Sequence, residues 1–118
     1  MKRYMALYIG SVSAAEKAAN PTAGMSGDDL AAGMAAWGEW MSRHADAIVD
    51  PGAPLGKTRL VSRDGISAAE NAVTGYVIVQ AENHHQAAEM FRDHPHFSIF
   101  PGKGVEVVEC LSIPGASD

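Results

Sequence analysis

Cysteine is all but missing: Cys110 stands alone. It cannot close an internal disulfide, so nothing points to an oxidising compartment. It falls in an apolar strand pattern and reads as a small core hydrophobe rather than a reactive thiol. Positive charge is also scarce. Nine Lys and Arg stand against 14 Asp and Glu, for a net charge of −5, and the basic residues are scattered along the chain. A nucleic-acid or anionic-lipid partner needs a basic patch, and there is none to read. Long hydrophobic runs are absent, so no segment reaches the length that spans a bilayer. The YMALYIG stretch behind Lys2 and Arg3 is too short for a signal peptide and alternates like a strand. Phosphate-binding loops, Rossmann glycine patterns, nucleophile elbows and zinc-binding HExxH motifs are missing too, and Gly102-Lys103-Gly104 is a turn. A cytoplasmic protein with no cofactor, no membrane contact and no nucleic-acid partner is expected.

What is present is enough for one domain over residues 1–118. The longest helical pattern runs from Ser26 to Val49. Ser26 can cap it, with Asp29 three residues on, and Asp28 and Asp29 suit the positive end of the helix dipole. Leu30, Met34, Trp37, Met41, Ala45 and Ile48 recur at three and four residues and predict the buried stripe. Pro51 and Gly52 forbid continuation, and DPGAPLG reads as a fixed turn over residues 50–56.

In order, Tyr4 to Ile9 predicts a first strand with apolar residues on both faces. Ser11 to Gly24 reads as a connection that can hold a short helix from Ser13 to Ala19. After the long helix, Lys57 to Ser62 predicts a second strand and Asp64-Gly65 a tight turn. Ile66 to Ala72 is open between strand and loop. Val73 to Ala81 predicts the clearest strand, β-branched and aromatic throughout. Asn83 and Gln86 open a second helix ending near Asp93, because Pro95 disfavours helical geometry before it. His94 to Gly104 reads as a loop, and Val105 to Ile113 as the last strand. The order strand, helix, strand, strand, helix, strand is the split βαβ arrangement of ferredoxin-like α+β folds, with a four-stranded antiparallel sheet. Two helices cover one face only, so a second copy of the chain is the expected cover for the other, making a homodimer.

The segment GMAAWGEWMSRHADAIVDPGAPL resembles the central helix and small-residue turn of the YCII-related (DGPF) family. TRLVSRDG with TGYVIVQAEN resembles that family's hairpin and third strand, and HPHFSIFPGKGVEVVECLSIP its loop and final strand. The resemblance covers most of Ser26 to Ile113 plus the first strand. It implies a dimeric α/β barrel, in a family where a few relatives act on small aromatic compounds. The Asp-Gly-Pro-Phe signature is replaced by Ile66-Ser67-Ala68-Ala69, and the histidine of the YciI-like branch would fall near Ala35 to Trp37, where there is none. The family's proposed His/Asp pair therefore has no counterpart to carry over.

The residues themselves offer other chemistry. Asp93-His94-Pro95-His96 places two imidazoles beside a carboxylate, and an extended His-Pro-His would point both rings to one side. Such a set can transfer protons near neutral pH or hold a metal, although no distant ligand completes a metal site and none is assigned. The alternative is a capped, solvated loop. Trp37 and Trp40 are neighbours on one helix, Trp37 expected in the core and Trp40 at an interface or pocket wall. Tyr8 and Tyr76 are further candidate walls. Arg59 can meet a carboxylate or phenolate. His44, near the helix end, is either a ligand contact or a cation that suits the helix dipole. These residues suggest a small-molecule enzyme of lyase or isomerase type, with His94, His96 and Asp93 moving protons on a modest organic substrate, aromatic compounds among the candidates. A non-catalytic binding module using the same cavity and a cofactor-free monooxygenase-like barrel are the alternatives.

Overall fold

A computed structural model describes residues 1–22 and 24–115. The first strand, β1 (Lys2–Ile9), lies at the centre of the main sheet, where alternation along YMALYI puts Tyr4, Ala6 and Tyr8 on the buried side. A short helix, α1 (Ala14–Ala19), follows, capped by Ser13, whose hydroxyl accepts the Glu16 amide at 3.2 Å. The long helix α2 (Gly27–Arg43) starts as its sequence dictates, with the Ser26 hydroxyl accepting the Asp29 amide at 3.1 Å.

It ends earlier than the pattern suggests. His44 closes α2, and the chain turns through residues 45–47 into β2 (Ile48–Pro54). The last two residues of the expected helix and most of the expected turn over residues 50–56 therefore form an edge strand. Pro51 is tolerated because β2 has a partner on one side only. The register slips at Ile48/Asp50 and again at Asp50/Ala53, and those irregularities absorb Pro51 and Gly52. Asp50 Oδ1 accepts the Gly52 amide at 2.8 Å, and Gly52 takes a φ of 71° where a Cβ would run into the Tyr76 carbonyl. Composition alone reads such a segment as a turn.

The residues expected to form the second core strand instead make a separate ribbon, β3 (Thr58–Ser62) paired with β4 (Gly65–Ala69) across the Arg63-Asp64 turn. The chain returns as β5 (Val73–Ala81), the strand read most clearly. Next comes α3 (His84–Glu89), shorter than expected, then α4 (Pro95–Ser98), a helical turn inside the expected loop, and last β6 (Gly104–Glu109). Cys110 lies just past β6 and is exposed, so the core reading of that residue does not hold.

The main sheet runs β2-β5-β1-β6, with every neighbouring pair antiparallel. This is the ferredoxin-like order. Helices cover the face carrying Tyr4, Ala6, Tyr8, Val77, Val79 and Ala81, where Trp40, Ala87 and Phe91 complete the core. Met5, Leu7, Ile9, Tyr76 and Ile78 alternate onto the opposite face and are half-buried there, on the side away from the core formed with Trp40, Ala87 and Phe91. The helix stripe is rotated from the expected one. Met34 is 61% exposed, whereas Gly33 is buried against the Phe100 ring, leaving no space there for a Cβ. Trp40 is 2% exposed and Trp37 only half-buried, so Trp40 rather than Trp37 is the more deeply buried of the two. The Trp40 indole N–H can be buried because it donates to the Met90 carbonyl at 2.8 Å.

Candidate functional site

The His-Pro-His element is folded inward rather than extended. Asp93 adopts a φ of 56°, uncommon for a residue with a Cβ, and turns the chain so that His94 enters the core. Pro95 then suits the first position of α4, where an amide hydrogen would have no helical partner. His94 is the N-cap of that turn. Its Nδ1 accepts the His96 amide at 3.0 Å, which leaves Nε2 as the protonated nitrogen, 3.4 Å from the Tyr8 hydroxyl. His96 Nε2–H donates to the Ile9 carbonyl at 2.7 Å. The chain at Gly102 passes so close to His96 that a Cβ there would collide with the ring.

The imidazoles are surrounded by aromatic rings. His94 lies 4.6 Å from Trp37, 4.7 Å from Trp40 and 5.1 Å from Tyr8 between centroids. His96 lies 5.3 Å from Tyr8. His94 is 0% and His96 6% exposed, so neither belongs to a solvated loop. Burial holds both pKa values below the ordinary histidine value, that of His94 at about 3, with the His96 and His44 imidazoles adding to the effect. Burial also raises the Tyr8 phenol above its usual value. At neutral pH the cluster is uncharged.

The other candidates separate. The Asp93 side chain is exposed, outside the buried imidazole pair. Tyr76 sits on the opposite face of the sheet from Tyr8. Arg59 is on the β3–β4 ribbon. Trp37, Trp40 and Tyr8 do gather around the histidines.

A second set forms on the outer side of Trp40. There a cleft of about 450 Å³ lies between the C-terminal end of α2 and the segment from α3 to α4. Trp40, Arg43, His44, Arg92, Asp93 and Ile99 are among its lining residues. The His44 ring lies 4.8 Å from that of Trp40. Partial burial, then the neighbouring Arg43 charge, lowers the His44 pKa, which keeps the ring neutral at pH 7. Arg92 is bound to Glu89 through two hydrogen bonds of 2.9 and 2.6 Å, whereas Arg43 makes no ion pair among the described residues. The cleft thus holds a neutral base, an unpaired cation and an aromatic wall.

The sequence reading places Asp93 and Trp40 in one pocket with His94 and His96 and takes His44 as a separate ligand contact, whereas the cleft joins Asp93, Trp40 and His44. Arg43 went unmarked, although its place beside His44 at the helix end was a usable signal. Phe91 packs 5.8 Å from His94 and belongs to the same aromatic surround. Among the described residues no three His, Cys, Asp or Glu side chains converge as metal ligands do. No helix among them is long and apolar enough to cross a membrane.

No family model matches the chain, and no curated protein matches it. Among solved structures it is similar to 5-chloro-2-hydroxyhydroquinone dehydrochlorinase (TftG) from Burkholderia phenoliruptrix AC1100, in complex with 2,5-dihydroxybenzoquinone. The TM-score is 0.50 and the identity 14%, over 99% of this chain and 100% of that one. At that identity the likeness establishes a shared fold, the α/β architecture described above.

Proposed function

We propose that the protein is a YCII-related small-molecule enzyme that moves protons on a planar hydroxylated aromatic compound, chemistry of the lyase or isomerase kind. The reacting site in this reading is the cleft outside Trp40. The observation that carries it is His44, a neutral imidazole facing an accessible cleft beside an unpaired guanidinium. A neutral imidazole can take a phenolic proton, and Arg43 can hold the phenolate that results. The buried Trp40 backs the cleft, and Asp93 supplies a carboxylate at its rim. The volume suits a ligand of one ring, at the low end of small-molecule sites.

The fold shared with a dehydrochlorinase of a chlorinated hydroxyhydroquinone supports the substrate class. His94 and His96 act in this reading as positioning residues. Their hydrogen bonds go to backbone and to Tyr8, and His94 packs behind Trp40.

The working unit is a homodimer in this reading. The chain exposes 7870 Å². A folded monomer of this mass exposes roughly 6,100 Å². The excess exceeds the roughly 800 Å² that each partner buries in a stable pair. The apolar face of Met5, Leu7, Ile9 and Ile78 is the natural place to bury it.

The test is titration of the protein with 2,5-dihydroxybenzoquinone and with hydroxylated hydroquinones, followed by calorimetry and by the His44 Cε1–H resonance. Saturable binding that shifts His44, lost in His44→Gln at unchanged melting temperature, is expected. Binding that leaves His44 unmoved and survives the substitution would refute the site. Saturable binding with no chemical change in any ring compound would favour the non-catalytic module.

A further inference from the structure

We propose that the β3–β4 ribbon is an arm that closes on a second copy of the chain. The inference rests on the homodimer reading above and adds a part of the interface that the sheet face does not supply.

Within its own subunit the ribbon has little to hold it. Its strands pair only with each other, as a separate two-stranded sheet. An isolated two-stranded hairpin is marginal in water. Yet it carries three exposed aliphatic side chains: Leu60 is 54%, Val61 72% and Ile66 70% exposed, with Val61 and Ile66 directly opposite in the register. A cross-strand aliphatic pair stabilises a ribbon most when something covers it. The chain's proportions match an uncovered arm. Its Cα radius of gyration is 15.8 Å, and its extents are 50 × 43 × 18 Å. A compact domain of this length has a radius near 13.5 Å.

Charge identifies the partner. Lys57, Arg59 and Arg63 outnumber Asp64 and Glu70 on the segment from Lys57 to Glu70, whereas the whole chain is net −5. A slightly positive arm on an acidic protein is complementary to another copy of that protein. Symmetry adds to the case. In a two-fold pair each arm is buried against the other subunit, so every contact made by Val61 and Ile66 occurs twice. Between α1 and the base of the ribbon is a groove of about 790 Å³, lined in part by Ala15, Arg59 and Glu70, and it gives the partner subunit a seat beside the arm.

The test is sedimentation equilibrium of the full chain and of the double variant Val61→Asp, Ile66→Asp, over nanomolar to tens of micromolar protein. Both positions are exposed, so the variant monomer keeps its fold, which circular dichroism checks. A rise in the dimer dissociation constant of tenfold or more supports the arm, as does slower amide exchange at Val61 and Ile66 in the concentrated than in the dilute sample. A dimeric wild type whose variant has the same dissociation constant overturns the arm and leaves the sheet-face dimer standing. A wild type that is monomeric throughout overturns both.

Discussion

Lowering the pH from neutral to about 5 loads the unfolded chain with a proton that the folded chain refuses at His94. The folded value is held at about 3 by burial, against 6.5 for a free imidazole. The stability this contributes is fully present above the unfolded value and is lost as pH falls toward the folded one. One pKa unit corresponds to about 1.4 kcal/mol, so the loss at about pH 5 is about 2 kcal/mol from this ring. His96 is shifted in the same direction and adds to it. Protonation would also cost the Nδ1 acceptor that caps α4. Urea denaturation at fixed protein concentration between pH 7.5 and 5 reads the effect, with His94→Asn as the comparison. Asn keeps an oxygen for the His96 amide but does not titrate. The variant is expected to start less stable, through lost ring packing, and then to lose about 2 kcal/mol less than wild type on acidification. A native His94 resonance titrating with a midpoint above about 5.5, or parallel losses in the two proteins, would refute the reasoning.

Trp40→Ala should destabilise by about 3–5 kcal/mol, as for other buried aromatic truncations, and Trp37→Ala by less; a reversed order in chemical denaturation would put the helix phase in error. Gly52→Ala should cost about 3 kcal/mol or more, because it combines a left-handed φ with collision against the Tyr76 carbonyl. Gly38→Ala, exposed in α2 with open space around it, should add about 0.5–1 kcal/mol, and equal midpoints for the two glycine variants would contradict both accounts. In the wild type, ring-compound turnover should fall on the acidic side of neutrality, since protonating His44 removes the base, and a pH profile flat through that range would contradict the role given to His44.

Where a segment's periodicity and its burial agree, the sequence was legible. β1 and β5 pair along nearly their whole lengths, from Lys2 opposite Ala81 to Leu7 opposite Tyr76, and their alternation assigns the faces correctly. The ferredoxin-like order followed from counting elements, although one counted strand was not the strand used. β2 was hidden because Pro51 and Gly52 signal a turn, and only an edge position with two irregularities makes them strand residues. The hidden clue was Ile48-Val49, a β-branched pair behind a histidine that ends the helix. The phase of α2 was misread for a different reason. Gly33 has no side chain to count as apolar, yet its bareness admits Phe100. At the site, the sequence brought His94 and His96 forward but not their burial. That depends on Asp93 taking a left-handed conformation, which neither composition nor spacing shows.

Trp40 joins these observations into one constraint. It contacts His94 on the core side at 4.7 Å and His44 in the cleft at 4.8 Å, and its N–H fixes the end of α3 through Met90. One indole is therefore both core and cleft wall. Any change that reshapes it alters stability and ligand affinity together, so substitutions at Trp40 cannot separate the two. The two imidazoles can. His94 is sealed behind the indole and reports on folding, whereas His44 has an accessible side and reports on what enters the cleft. The proton-transfer chemistry that the sequence placed on His94 requires a ring that can meet a solute and change charge near neutral pH. On that requirement the proposed function assigns the chemistry to His44 rather than to the buried His94.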